Sequence, residues 1–275
     1  MERQDGPGLP FEWSNIDRAA DTACYVNYLD AASAMSYFRD LKRRTFELLD
    51  TRPGHRLLDV GCGTGDDVRA LAALVGPQGR VTGVDSSATM IAEAQHRAGT
   101  SGLPVEFSVG DAHNLDFADQ AFDGVRVERT LQHLASPERA LAEMVRVLRP
   151  GGRIVAAEPD WDSLVIDAPD RAATRAIIEF RCDGYRQGWI GRQLARLLAD
   201  TGLAGVNVTG DTCIIGDYAT AEHVLGLAKA ADGAAEAGIV ERAIAARWLD
   251  SLRAAADAGR FFSAITGFIG VGQKA

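Results

Sequence analysis

Leu57-Leu58-Asp59-Val60-Gly61-Cys62-Gly63-Thr64-Gly65 reads as a short apolar strand running into a glycine-rich turn, with a helical pattern opening near Asp66. Glycine adopts positive φ without steric cost and lets the backbone approach a ligand. A turn at the carboxyl end of a parallel strand is where open α/β sheets bind ligands. Asp85 ends the next strand, 20 residues after Gly65. A carboxylate there commonly accepts hydrogen bonds from ribose hydroxyls, so the turn and Asp85 together point to a nucleoside-containing cofactor.

Working outward from that turn, short apolar runs alternate with amphipathic helices: RLLDV, DDVRALAALV, RVTGVD, SSATMIAEAQHRA, VEFSVGD, FDGVRVE, SPERALAEMVRVL and RIVAAEP. Such alternation predicts a parallel sheet covered on both faces. Val68, Leu71, Ala72 and Val75 fall at helical spacing and stop at Gly76-Pro77. Leu141, Met144, Val145 and Leu148 repeat the spacing after Ser136 and Pro137, an N-cap and first-turn proline. Residues 1–22 are polar and rich in Pro and Gly, and Ala20 to Asp50 carries Phe38, Leu41, Thr45 and Leu48 on one helical stripe. Beyond Pro159 the pattern predicts a helix over 170–187, another over 192–200, a strand near 206–215, two Ala-rich helices between 220 and 258, and a last strand over 261–271. The expected organisation is one domain, 1–275, with an N-terminal helical cap (1–50), a cofactor-binding core (51–160) and lid insertions with the last two strands (161–275).

With 47% hydrophobic and 24% charged residues, the 275-residue chain has the profile of a globular protein. Its 29 basic residues against 38 acidic ones give a net charge of −9. The basic residues are scattered, which argues against a nucleic-acid partner. No apolar run is long enough for a membrane span and no leader is evident, so the expectation is a cytoplasmic protein, monomer or homodimer, without a membrane partner. Cys24, Cys62, Cys182 and Cys213 are isolated, which predicts neither a metal site nor disulfides.

Charge also selects the cofactor. A dinucleotide lays its pyrophosphate over the N-terminus of the helix after the glycine turn, where amides and the helix dipole favour negative charge. Asp66 and Asp67 occupy that first turn, and Asp66 stands where a dinucleotide loop has its third glycine. S-adenosylmethionine, which has no phosphate and carries a sulfonium cation, fits better than a nicotinamide dinucleotide.

The segments LLDVGCGTG (57–65), VTGVDSS (81–87), VGDAHNLDF (109–117), FDGVRVERTLQHL (122–134) and VLRPGGRIVAAEP (147–159) together resemble the class I S-adenosylmethionine-dependent methyltransferases, in particular the ubiquinone/menaquinone C-methyltransferase-like group. The resemblance covers about residues 40 to 160. It implies a Rossmann-like α/β fold: seven strands, mostly parallel, the last one antiparallel, with helices on both faces and a helical lid. Carried over by position, Gly61, Gly63 and Gly65 would contact the methionine portion, with Asp59 bracing the loop. Asp85 would hold the ribose, and Ser86 and Met90 would lie near adenine. Asp111 would accept from the adenine amine and the Ala112 amide would donate to the ring. Glu128 would lie near the methionine amino group or the transferred methyl. Arg44, or almost equally Arg43, would pair with the cofactor carboxylate. Arg126-Val127-Glu128-Arg129 stands where relatives usually show an uncharged stretch.

Each assignment has a bland competitor. Asp85 also suits a helix cap, Asp111 a turn and Met90 plain core. His133 follows the fourth strand and has the chemistry of a general base, or it merely satisfies a carbonyl in the turn. Glu158, at the end of the fifth strand, is the better candidate for touching substrate, Asp160 being more a turn residue, and Tyr25 is the third candidate for catalysis. Trp161, Tyr28 and Tyr185 are the aromatics expected at the substrate, although aromatics at helical spacing are usually core. Arg181 and Arg192 suit a substrate carboxylate, though such arginines are more often surface residues. The expected activity is methyl transfer to a small aromatic or apolar metabolite at C, N or O. Its competitors are cofactor binding without turnover and, more remotely, a nicotinamide-dependent oxidoreductase.

Overall fold

The computed structural model describes residues 13–19, 21–99 and 101–275; the first twelve residues of the Pro/Gly-rich opening lie outside them. Two helices come first, α1 (Ala23–Ala34) and α2 (Ser36–Leu48), preceded by a 3-10 turn, Trp13–Arg18. The single helical stripe expected over 20–50 is broken at Met35, whose extended backbone (φ −72°, ψ 139°) ends α1 and caps α2. Then follow β1 (Arg56–Val60), α3 (Asp66–Val75), β2 (Arg80–Asp85), α4 (Ala88–Ala98), β3 (Val105–Val109), β4 (Phe122–Glu128), α5 (Pro137–Val147) and β5 (Leu148–Ile166). The remainder is α6 (Arg171–Gly184), α7 (Ile190–Asp200), β6 (Ala204–Ile215), α8 (Tyr218–Leu225), α9 (Leu227–Glu236), α10 (Arg242–Asp257) and β7 (Ser263–Gln273). The Ala-rich region holds three helices where two were expected. Gly226, left-handed at φ 62°, ends α8 and starts α9 on a new axis.

All seven strands form one sheet in the order β3-β2-β1-β4-β5-β7-β6. The first five are mutually parallel, and β7 runs antiparallel to both β5 and β6. Alternation along β1 sorts the core: Leu57 packs with Val68, Leu71, Val75 and Leu41 from α3 and α2 on one face. Leu58 packs with Leu141, Met144, Leu194 and Leu198 from α5 and α7 on the other. A separate apolar cluster joins α6, α8, α9 and α10 to Trp161, Leu164, Cys213 and Ile265 at the extended ends of β5, β6 and β7. Val60 pairs in register with Val84 and with Val127. The carboxyl ends of β1, β2 and β4 therefore lie level, and the strand order reverses at β1, the usual position of a ligand crevice.

Candidate active site

The loop after β1 is shaped by its glycines. Gly61, Gly63 and Gly65 have φ of 74°, 51° and 72°. A Cβ on Gly61 would meet Thr130 Oγ1 at 2.0 Å, and one on Gly65 would meet the Phe107 ring at 2.6 Å. The turn thus needs glycine both for its torsions and for close packing. The amide of Gly63 donates to Asp85 Oδ2 at 2.9 Å, and that of Ser87 donates to Oδ1 at 2.9 Å. Asp85 is therefore tied to the loop it serves. Burial raises its carboxyl above the ordinary value, and these amides pull against the rise.

A cavity of about 330 Å³ opens over these strand ends. One end is walled by Gly61, Gly63, Asp85, Ser86, Met90, Asp111 and Ala112, together with Asp59 and Glu128. The other end is walled by Tyr28, Tyr37, Trp161, Tyr185, His133 and Glu158. Trp13 and Ile16 of the N-terminal turn also line it. That turn is strapped to α4. Asp17 accepts from Ser87 Oγ (2.5 Å) and from the amides of Ala88 (2.9 Å) and Thr89 (3.1 Å). The Ser87 hydroxyl, with these amides, lowers the Asp17 carboxyl to about 2. The Trp13 ring stands edge-on to Tyr25 (5.2 Å) and Tyr28 (5.4 Å) and 6.1 Å from His133.

Beneath the loop lies a buried charge network absent from the sequence reading. Arg126, 1% exposed, bonds Asp59 at 2.9 Å, approaches Asp67 at 3.1 Å, pairs with Glu128, and donates to Thr45 Oγ1 at 2.9 Å. Lys42 joins Asp67 at 2.6 Å, and Arg129 reaches Glu128 at 3.3 Å. Three cations thus meet three carboxylates. Burial raises Asp59 against the pull of Arg126; for Asp67, Arg126 and Lys42 outweigh burial and lower it. Asp66 pairs with Arg69 and lies 3.6 Å from Arg97. The two acidic residues expected to repel phosphates are therefore largely neutralised, and their charge alone is a weaker discriminator than the sequence suggested.

Arg44, Arg43, Gly65 and Tyr25, all expected at the site, do not line the cavity. Arg44 points away to Asp211 (2.9 Å) and Thr209 on β6, which occupies the guanidinium meant for the cofactor carboxylate. Arg43 pairs with Glu47 at the surface. Gly65 is turned toward Phe107, and Tyr25 is buried with Ile16 and Met90 behind the wall. The cations that do line it are Lys42, Arg126, Arg129 and Arg186. Arg129 is also one of three non-glycine residues at positive φ (50°) among the described residues, and its guanidinium sits 4.5 Å over Phe38. Asp111 forms a turn with the His113 amide and ring (2.9 and 2.7 Å), and its side chain stays 65% exposed, open to a ligand.

At the aromatic end, Trp161 and Tyr185 stack at 4.4 Å and 7° between planes, and Tyr185 lies 5.9 Å from His133. Glu158 Oε1 accepts the amides of Thr130 (2.8 Å) and Leu131 (2.7 Å), while Oε2 has no hydrogen-bond partner among the described residues. Burial pushes its carboxyl up to about 8, with a further push from Glu128. Glu158 therefore carries a proton at neutral pH.

Residues 57–152 match the family described as a methyltransferase domain. Over 90% of its length the chain is 46% identical to 71% of an uncharacterised 37.1 kDa protein of transposon TN4556 from Streptomyces fradiae. It is 37% identical to a demethylmenaquinone methyltransferase of Desulfitobacterium hafniense over 54% of this chain, a stretch spanning 63% of that relative. The chain belongs to the class I S-adenosylmethionine-dependent methyltransferases. Its cofactor is S-adenosylmethionine. Among solved structures the methyltransferase is similar to the 4+2-cyclase SpnF, at 25% identity and a TM-score of 0.52, covering 86% of this chain and 80% of that one. No helix among the described residues is long and apolar enough to cross a membrane.

Proposed function

We propose that this methyltransferase moves the methyl of S-adenosylmethionine to a small, ring-bearing molecule held at the aromatic end of the cavity. The observation that carries the reading is the continuity of one cavity from the glycine loop, Asp85 and Asp111 into the Trp161-Tyr185-His133 wall. In this reading Asp85 holds the ribose, and Ser86, Met90, Asp111 and the Ala112 amide hold adenine. Gly61, Gly63 and Glu128 receive the methionine portion. Arg129, with Lys42, takes the carboxylate role first given to Arg44. The relatives' quinone chemistry makes a quinone-like ring one fitting acceptor class; indole-like rings fit the same wall.

Methyl transfer is an in-line displacement on a carbon already activated by the sulfonium. The protein's share is to place the nucleophile about 3 to 3.5 Å from the methyl and to exclude water. Glu158, its carboxyl pushed up to about 8 by burial, favours the acid form at neutral pH and offers the Oε2 proton to the acceptor as a hydrogen bond. The acceptor's proton goes to His133, the imidazole in that wall. Tyr25, behind the wall, has no part in the chemistry. Tyr28, Trp161 and Tyr185 shape the ring pocket.

A second reading is cofactor binding in support of a reaction other than methyl transfer, favoured by the likeness to a 4+2-cyclase. One experiment separates them. The protein is titrated calorimetrically with S-adenosylhomocysteine beside NADH and NADPH, and a panel of ring acceptors is then incubated with labelled methyl donor. Label transfer supports the first reading, and binding of S-adenosylhomocysteine without transfer to any acceptor supports the second. Binding of a nicotinamide cofactor alone overturns both.

A further inference from the structure

Arg181, in the last turn of α6, is 2% exposed. Its guanidinium carbon lies 4.6 Å from the Trp161 ring centroid and 5.7 Å from that of Tyr185. It thus sits beside the stacked pair, and both of those rings line the cavity. One N–H reaches the Tyr185 hydroxyl at 3.3 Å, while Nε and Nη1 meet no hydrogen-bond partner among the described residues. Its ring neighbours Trp161 and Tyr185 belong to an apolar cluster with Ile177, Leu164 and Cys182.

Arg126, the other buried arginine among the described residues, meets three carboxylates. Among the described residues no carboxylate forms an ion pair with Arg181. A guanidinium stays charged at any physiological pH, and a buried charge left without a counter-ion is strongly destabilising. The carboxyl groups of the cavity do not supply one. Asp59, Asp67 and Glu128 are held by Arg126, Lys42 and Arg129, Asp66 by Arg69, Asp85 by backbone amides and Asp111 by His113, and burial pushes the Glu158 carboxyl up to about 8.

We propose that Arg181 is the anchor for a negatively charged oxygen on the acceptor, a planar ring compound bearing a carboxylate or an ionised hydroxyl that enters beside the Trp161–Tyr185 stack. The proposal rests on the reading that this end of the cavity receives the acceptor. Arg181 stands one side chain behind the cavity, its N–H on the hydroxyl of Tyr185, a residue that lines it. Charge-assisted hydrogen bonds of this kind are about twice as strong as neutral ones. Arg181 thereby selects the acid form of an acceptor over its neutral analogue.

The test uses the full chain as wild type, Arg181→Met and Arg181→Lys. Each is first titrated with S-adenosylhomocysteine, which checks the cofactor reading by itself. Each is then titrated, with and without S-adenosylhomocysteine, with matched acid and neutral ligands. Indole-3-acetate against indole-3-acetamide and 4-hydroxybenzoate against its amide probe a carboxylate. 2-Hydroxy-1,4-naphthoquinone against its methyl ether probes an ionised hydroxyl. Wild type is expected to bind at least one acid about tenfold more tightly than its neutral partner. Arg181→Met should erase that preference and, without ligand, melt at a higher temperature than wild type, because an unpaired buried charge has gone. Arg181→Lys should keep part of the preference, and it carries the test if Arg181→Met does not fold. Equal binding of every acid and its neutral partner by wild type, or a preference that survives in Arg181→Met, overturns the proposal. Failure of S-adenosylhomocysteine to bind overturns the cofactor reading alone, since the acid preference is also measured without it.

Discussion

Replacing Glu158 by Gln tests whether the fold holds a carboxylic acid, not a carboxylate, against the Thr130 and Leu131 amides. Glutamine keeps an oxygen to accept both amides and removes only the ionisable proton. In the folded protein the Glu158 carboxyl titrates near 8 against an ordinary value of 4.5. Between those two values the folded state binds more protons than the unfolded chain, so raising the pH disfavours folding; below the lower value the penalty vanishes, and above the higher it is constant. Taking RT as about 0.6 kcal/mol, the penalty is about 1 kcal/mol at pH 5, about 3 at pH 7 and about 4 at pH 8. Glu158→Gln carries none of it. Urea unfolding of both proteins at pH 5, 7 and 8, without ligands, gives the difference directly and cancels every other titrating group. The variant should gain about 3 kcal/mol on wild type across that range. A difference that stays flat with pH would show that Glu158 ionises normally and would return it to the list of candidate bases.

Other consequences are as direct. Asp85→Ala should weaken S-adenosylhomocysteine binding by about 1 to 3 kcal/mol in calorimetry, with Asp85→Asn closer to wild type because its oxygen still accepts from Gly63 and Ser87; unchanged affinity in the alanine variant removes Asp85 from the ribose. Arg126→Met leaves Asp59, Asp67 and Glu128 without their shared partner and should cost about 3 to 5 kcal/mol in urea unfolding at pH 7. A loss near zero would mean that Lys42 and Arg129 suffice. Asp17→Ala removes the acceptor for Ser87, Ala88 and Thr89, which should cost about 1 kcal/mol of stability and speed release of S-adenosylhomocysteine in stopped flow. An unaltered release rate would show that the Trp13–Arg18 turn does not cover the site.

The parallel sheet and its glycine loop were legible because their signals are local. Strands β1, β2 and β4 are short runs carrying branched apolar residues, and the loop's glycines stand where torsions and close packing allow little else. The charge network was not legible, because Arg126 meets Thr45, 81 positions earlier, and Asp59, 67 earlier. Helical phase on α2 sets aside Arg43 alone: at about 100° per residue Lys42 and Arg44 flank the Phe38-Leu41-Thr45-Leu48 stripe about equally, with Arg43 on the far side. Arg181 follows the same logic, since its spacing from Ile177 places it on the buried face of α6. Glu158 was found by position, but its protonation was hidden, because burial depends on helices far away in the chain.

The strap across α4 also has a thermal consequence. The Ala88 and Thr89 amides that Asp17 accepts are first-turn groups that water would serve if the turn lifted, so lifting exchanges hydrogen bonds more than it loses them. The other hold on the turn is the apolar seating of Trp13 and Ile16 against Tyr25 and Met90. Apolar association weakens on cooling. In the cold the cover therefore spends more of its time raised, and cofactor exchange slows less steeply than the methyl-transfer step beneath it.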